Sequence, residues 1–166
     1  MISQWLTMTL LSASALGLYD VRLESSSGDA VSLAKLKGKP TLVFYEERDS
    51  TALNQTFKDE LFRRGKEENL LDAVNVVAVA DLQGYDWFPA RNFARAGVRD
   101  AEKKAGIPVY VDWSGAMKSK PWSMKEKTSN VVLLDAGGAE VMRLSGKLDA
   151  SARARLFDGI TALLHP

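Results

Sequence analysis

The chain contains no cysteine. That excludes disulfides, thiolate nucleophiles, paired-cysteine redox motifs and cysteine metal sites together. It leaves the compartment open, since a protein without thiols suits reducing and oxidising surroundings equally. Histidine is almost as scarce: His165, beside the C-terminal residue, is the single one. Histidine triads, two-histidine metal sites and HExxH enzymes fall with it, and His165 itself reads as a solvated tail group. Neither sign of charge is in excess. The 22 basic and 21 acidic residues leave a formal +1, which gives no electrostatic case for nucleic acid. No Walker loop, GxGxxG, GxSxG or zinc spacing occurs. No residue is therefore assigned a catalytic role, no metal ligand set is found, and no cofactor is expected.

What is present is the material of one ordinary domain. The 166 residues are 46% apolar and 26% charged, and aliphatic runs recur along the whole length. Trp5 to Leu18 is mostly apolar and small, with Ser12-Ala13-Ser14-Ala15 near its end. This resembles a secretory leader with a small-residue cleavage site, although no Lys or Arg precedes it. It is short for a membrane span, which needs about 20 residues. Residues 1–17 are read as a signal peptide or N-terminal extension and 18–166 as the domain. The pattern leans to an exported, periplasmic protein, with a cytoplasmic one as the other reading.

Along the domain, Tyr19 to Glu24 alternates like a strand, a Ser-Gly-Asp turn follows, and Val31 to Leu33 resumes extended structure. Thr41 to Tyr45 is a continuous apolar run, as in a strand buried on both faces. Asp49, Ser50 or Thr51 offers a cap for the next helix, whose Leu53, Phe57, Leu61 and Phe62 are spaced to face a sheet. Val74 to Leu82 is a second buried strand, and strand-helix-strand order implies a parallel pair with a right-handed crossover. The composition predicts a helix over 90–105, ended by Gly106 and Pro108, and a short strand over 109–111. Residues 113–127 are irregular. Strands over 129–135 and 140–144 flank the hairpin signal Ala136-Gly137-Gly138. Asp149 or Ser151 opens the last helix, with Leu156, Ile160, Leu163 and Leu164 as its apolar stripe. The fold class is α/β, a mixed central β-sheet flanked by helices on both faces.

The stretch Asp29 to Thr51 (DAVSLAKLKGKPTLVFYEERDST) resembles the entry of peroxiredoxin and TlpA-type domains in the thioredoxin-like superfamily. The resemblance implies a thioredoxin-like fold. In that pattern the two cysteines would fall at about Asp49 and Ala52, and the family's cis-proline at Ser129. The family's thiol chemistry is therefore not expected. A narrower resemblance, to the YtfJ-like family of small, usually exported bacterial proteins, is carried by Gly38-Lys39, Arg48 with Ser50 or Thr51, Trp87, and Trp122 to Asp135 with the Gly137-Gly138 hairpin.

Glu46 to Thr51 lies at the carboxyl end of a parallel strand, where ligands favour open α/β sheets. Arg48, Asp49, Ser50 and Thr51 either hold an anion with the helix start or cap the helix, with Arg48 paired to Glu46 or Glu47. Lys127, Thr128 and Ser129 are expected across the same groove. Trp122 either walls it or covers the sheet edge. Tyr85, Trp87, Phe88 and Trp113 are loop aromatics that form either a binding patch or a buried end-cap. Asp81, Asp86, Asp112 and Asp135 read as strand-end turn residues. The expected function is a redox-inactive binding or adaptor module for a protein or peptide partner, using this groove. The other reading is a cysteine-independent enzyme or small-anion sensor in the same place, with Arg48 as its clamp.

Overall fold

The computed structural model describes residues 20–166. The reading of residues 1–17 as a leader, and Tyr19 as a strand start, lies outside those residues. The strands are β1 (Leu23–Glu24), β2 (Ala30–Val31), β3 (Thr41–Glu46), β4 (Asn75–Asp81), β5 (Val109–Asp112), β6 (Asn130–Leu134) and β7 (Glu140–Ser145). The helices are α1 (Gln55–Glu67), the single-turn α2 (Leu70–Ala73), α3 (Ala90–Ala105) and α4 (Ala150–Leu164).

One mixed sheet joins all the strands in the order β2-β1-β5-β4-β3-β6-β7. β3, β4 and β5 run parallel, and β6 lies antiparallel to β3 with Tyr45 opposite Asn130. Both parallel connections carry a helix, as a crossover requires. The carboxyl ends Glu46, Asp81 and Asp112 consequently meet at one end of the sheet.

Alternation along the strands sorts the core into two faces. Leu42, Phe44, Val76, Val131 and Leu133 face α1 and α4, where Phe57, Leu61, Leu156 and Ile160 are buried. Phe57 touches Phe44 and Phe157 at ring separations of 5.9 and 5.3 Å. Each such buried ring contributes about 1.5–3 kcal/mol of transfer free energy. α3 adds Val98 on this same face, over Val109 and Val111. The opposite face holds Val43, Tyr45, Val77, Val79, Val132 and Leu134. Among the described residues its helical cover consists of 3-10 turns at Leu33–Leu36 and Ala116–Lys118, which bring Leu33 and Met117 onto it. Trp122 and Met124 complete the layer.

The strand expected over 31–33 ends at Val31. Leu33 opens a 3-10 turn instead, because the Ser32 hydroxyl accepts the Ala34 N–H and curls the chain. α2 was not expected. It follows Asn69 in left-handed backbone and packs so close to α1 that a Cβ on Gly65 would lie 2.5 Å from the Leu71 side chain. Only glycine permits that approach. Gly106 closes α3 at φ 69, as its position predicts.

Candidate functional site at the strand ends

The turn after β3 is built differently from a helix cap. Ser50 and Thr51 turn their hydroxyls back to the carbonyls of Glu47 and Arg48, both at 3.0 Å, which fixes a 3-10 turn over Arg48–Ser50. α1 therefore starts only at Gln55, and none of Asp49, Ser50 and Thr51 caps it. Leu53 falls in the turn and is 39% exposed, contrary to the expected sheet-facing position.

Asn54, at the helix start, looks inward. Its amide donates to the Ser129 hydroxyl and the Gly146 carbonyl, each at 2.9 Å, and its oxygen accepts the Leu148 N–H at 2.8 Å. Ser129, fully buried, donates to Glu46 at 2.7 Å, and Lys58 closes the pair with Glu46 at 2.7 Å. Ser129 is thus brought beside β3 as expected, but its side chain is spent on this buried network. Glu47 points the other way and accepts the Lys127 N–H at 2.6 Å. Lys127 sits at φ 54, a left-handed conformation that non-glycine residues adopt at a cost. Arg48 pairs with neither glutamate, since Glu46 holds Lys58 and Glu47 holds the Lys127 backbone.

Trp122 is 1% exposed and belongs to the core layer, so it does not wall a groove. Its size and apolar surroundings decide the matter. Its indole N–H has no hydrogen-bond partner. Thr128 is half-buried, and Lys127 is exposed beside the turn.

An open cleft of about 240 Å³ lies at this end of the sheet. Glu47, Arg48, Asp49, Asp81, Gln83, Tyr85, Lys118 and Glu126 line it. Two of the expected residues, Arg48 and Asp49, belong to it; Asp81, Gln83, Lys118 and Glu126 were not expected there. Asp81 alone carried a signal, its place at the end of a parallel strand. Four carboxylates face two cations, so the cleft is net acidic. Lys118 is anchored on Asp81 at 2.8 Å, with Glu126 at 3.6 Å. Burial works against the Lys118 charge, but the carboxylates of Asp81, Glu126 and Glu47 outweigh it and hold its pKa above the usual lysine value.

Beneath the cleft, the Tyr45 hydroxyl donates to Asp112 at 3.2 Å. Asp112 is fully buried and also accepts the N–H groups of Ala116 and Met117, both at 2.9 Å. This carboxylate folds the 3-10 turn that carries Lys118. Burial first, then the neighbouring Asp112 and Asp81 charges, push the Tyr45 pKa far above the usual tyrosine value.

The loop aromatics divide. Tyr85, Trp87 and Phe88 are exposed, joined by Phe93 at the start of α3. Trp113 is held in: its indole donates to Glu24 at 3.1 Å, and the Arg91 guanidinium stacks on its ring at 4.7 Å. Asp135 is a turn residue as expected, accepting the Gly137 and Ala139 N–H groups at 2.9 and 2.8 Å. Among the described residues no group of three His, Cys, Asp or Glu side chains converges on a metal-sized point, and no helix is long and apolar enough to cross a membrane.

No family model and no curated protein matches the chain. Solved structures do. The exposed lipoprotein thioredoxin Etrx1 of Streptococcus pneumoniae is 16% identical with a TM-score of 0.62, covering 86% of this chain and 98% of its own. An uncharacterized thioredoxin-like protein of Porphyromonas gingivalis is 19% identical with a TM-score of 0.62, covering 86% and 88%. A DsbF homologue of Corynebacterium diphtheriae is 19% identical with a TM-score of 0.61, covering 86% and 83%. At such identities the likeness establishes the fold alone. The chain is a thioredoxin-like α/β domain. It has this architecture with no cysteine anywhere in its sequence, so dithiol exchange is outside its chemistry.

Proposed function

We propose that this domain is a non-redox binding module that docks a polypeptide at the cleft formed by the carboxyl ends of β3 and β4. The YtfJ-like resemblance, and an exported location, belong to the same reading; the apolar segment over residues 5–18 supports the latter. The observation that carries it is the cleft itself. Its walls come from the turn after β3, the end of β4 with Gln83 and Tyr85 beyond it, and Lys118 and Glu126 of the irregular segment. Four carboxylates against two cations favour a partner that presents basic residues. The same excess disfavours a small anion.

The test is capture from a lysate with mass spectrometry, comparing wild type with the charge-reversed double variant Asp49→Lys with Glu126→Lys. Both residues are exposed, so folding is retained. A partner held by wild type, weakened by salt and lost by the double variant supports the reading. A partner held equally by both, or lost equally by a control Arg63→Ala on α1 far from the cleft, refutes it.

A further inference from the structure

We infer, taking the cleft as the docking site proposed above, that Asp81 is its cation subsite, that Lys118 is the subsite's built-in occupant, and that an arginine of the partner displaces it. Asp81 ends β4 and lines the cleft, yet only 5% of the residue is exposed. Its Oδ1 accepts the Gln83 N–H at 3.1 Å. Its Oδ2 is buried and accepts no hydrogen bond, although the Lys118 ammonium stands 2.8 Å away. The ammonium thus meets this oxygen as a charge, without a well-aligned hydrogen bond. A planar guanidinium offers two parallel N–H groups to one carboxylate, which a single ammonium cannot supply. An arginine therefore gains from Asp81 what Lys118 does not.

Lys118 reaches Asp81 along a path that the turn leaves open. Gly115 sits at φ 71, and a Cβ there would lie 2.8 Å from Lys118 Cε and 2.7 Å from Gln83 Oε1. Any other residue would push the lysine stem and the Gln83 amide off the cleft wall. The turn is fixed from below by Asp112, which accepts the Ala116 and Met117 N–H groups, so the ammonium can leave while the backbone stays.

Glu126 gives the ammonium a destination. Its carboxylate is already 3.6 Å from Lys118 Nζ, and its side chain is 64% exposed. Moving from Asp81 to Glu126 keeps Lys118 paired and frees a buried carboxylate for the incoming cation. A buried carboxylate without a partner is costly, so Lys118 yields only to a group that pairs at least as well. Neutral side chains are thereby rejected, which makes Lys118 a determinant of specificity.

The test titrates the capped tripeptide acetyl-Gly-Arg-Gly-amide, with its citrulline counterpart as the neutral isostere, into full-length protein followed by NMR. Lys118→Met is expected to bind the arginine peptide about tenfold or more tighter than wild type, because the internal competitor is gone. The citrulline peptide should bind neither. Adding Asp81→Asn to Lys118→Met should remove the gain, and that double variant buries no unpaired charge. Wild type decides the matter where Lys118→Met fails to fold: saturating arginine peptide should shift the Lys118 ε-methylene signal and speed hydrogen exchange of its ammonium, with exposed Lys103 on α3 unchanged. A gain that survives Asp81→Asn, or wild-type binding that leaves Lys118 unmoved, overturns the inference and leaves the cleft as a docking site. Arginine peptide bound by neither folded protein overturns it too. Displacement of Lys118 by the peptide, with no partner crosslinked from the cleft in cells, upholds the subsite and refutes the docking reading.

Discussion

The Ser129 hydroxyl lies 2.7 Å from a Glu46 carboxylate oxygen, both buried where β6 enters beside the end of β3. The pair is the centre of a buried polar clasp. Asn54 and Lys58 complete it, tying α1 to β3 and to the turn before α4. Ser129→Ala leaves Glu46 and the Asn54 amide short of a partner inside the protein. The expected loss is about 1–3 kcal/mol, read as a lower midpoint in urea unfolding with an unchanged slope.

Tyr45 governs the alkaline limb of stability. Its pKa is raised in the folded state, so its contribution is fully present below the ordinary tyrosine value of 10.0 and is lost as pH rises above it. In the unfolded chain the phenol ionises first, which draws the equilibrium towards unfolding. Tyr45→Phe is expected to flatten, without abolishing, the fall in melting temperature above pH 10, because Tyr110 and Lys118 are raised too. An unchanged alkaline slope would show that Tyr45 is not the group responsible.

Much of this architecture was legible from the residues. β3 and β4 announce themselves as continuous apolar runs, and α3 has the bounds its composition implies because Gly106 and Pro108 mark its end. The site was harder to read for a physical reason. Asp49, Ser50 and Thr51 are good helix caps, but a hydroxyl that caps a helix also closes a 3-10 turn, and only tertiary packing of Asn54 decides between them. Lys118 and Glu126 reach the cleft through the irregular segment, whose path is set by buried Asp112 and Trp122 rather than by any periodic pattern. Asp112 looked like one more turn aspartate, because nothing in a sequence marks a carboxylate that will be fully buried.

Glu24 governs the acid limb. Burial raises its pKa, but hydrogen bonds from Arg95 and Trp113 and the charges of Arg95 and Arg91 outweigh it, so the net shift is downward. The resulting stabilisation is present above the ordinary value of 4.5 and is lost as pH falls through the lower folded-state value. Glu24→Gln is expected to melt below wild type at neutral pH, with the gap closing in acid well below pH 4.5. A gap that stays constant with pH would mean that shape, not charge, holds α3 to β1.

Trp122 separates packing from polarity. Trp122→Ala removes the largest buried side chain of its layer and should cost about 3–5 kcal/mol. Trp122→Phe keeps most of the apolar volume and deletes an indole N–H that has no partner. Its cost should therefore be much smaller, measured as the difference in unfolding midpoint between the two variants. Equal losses would show that the indole N–H contributes to stability after all.

The central claim, that the acidic cleft at the strand ends is where this domain meets its partner, is tested most directly by site-specific photocrosslinking in the cells that produce it. Benzoylphenylalanine at exposed Gln83, on the cleft wall, is predicted to yield a discrete protein adduct that Asp49→Lys with Glu126→Lys abolishes. The same group at Arg63, on α1 away from the cleft, should yield none. Adducts from Arg63 and none from Gln83 would contradict the account.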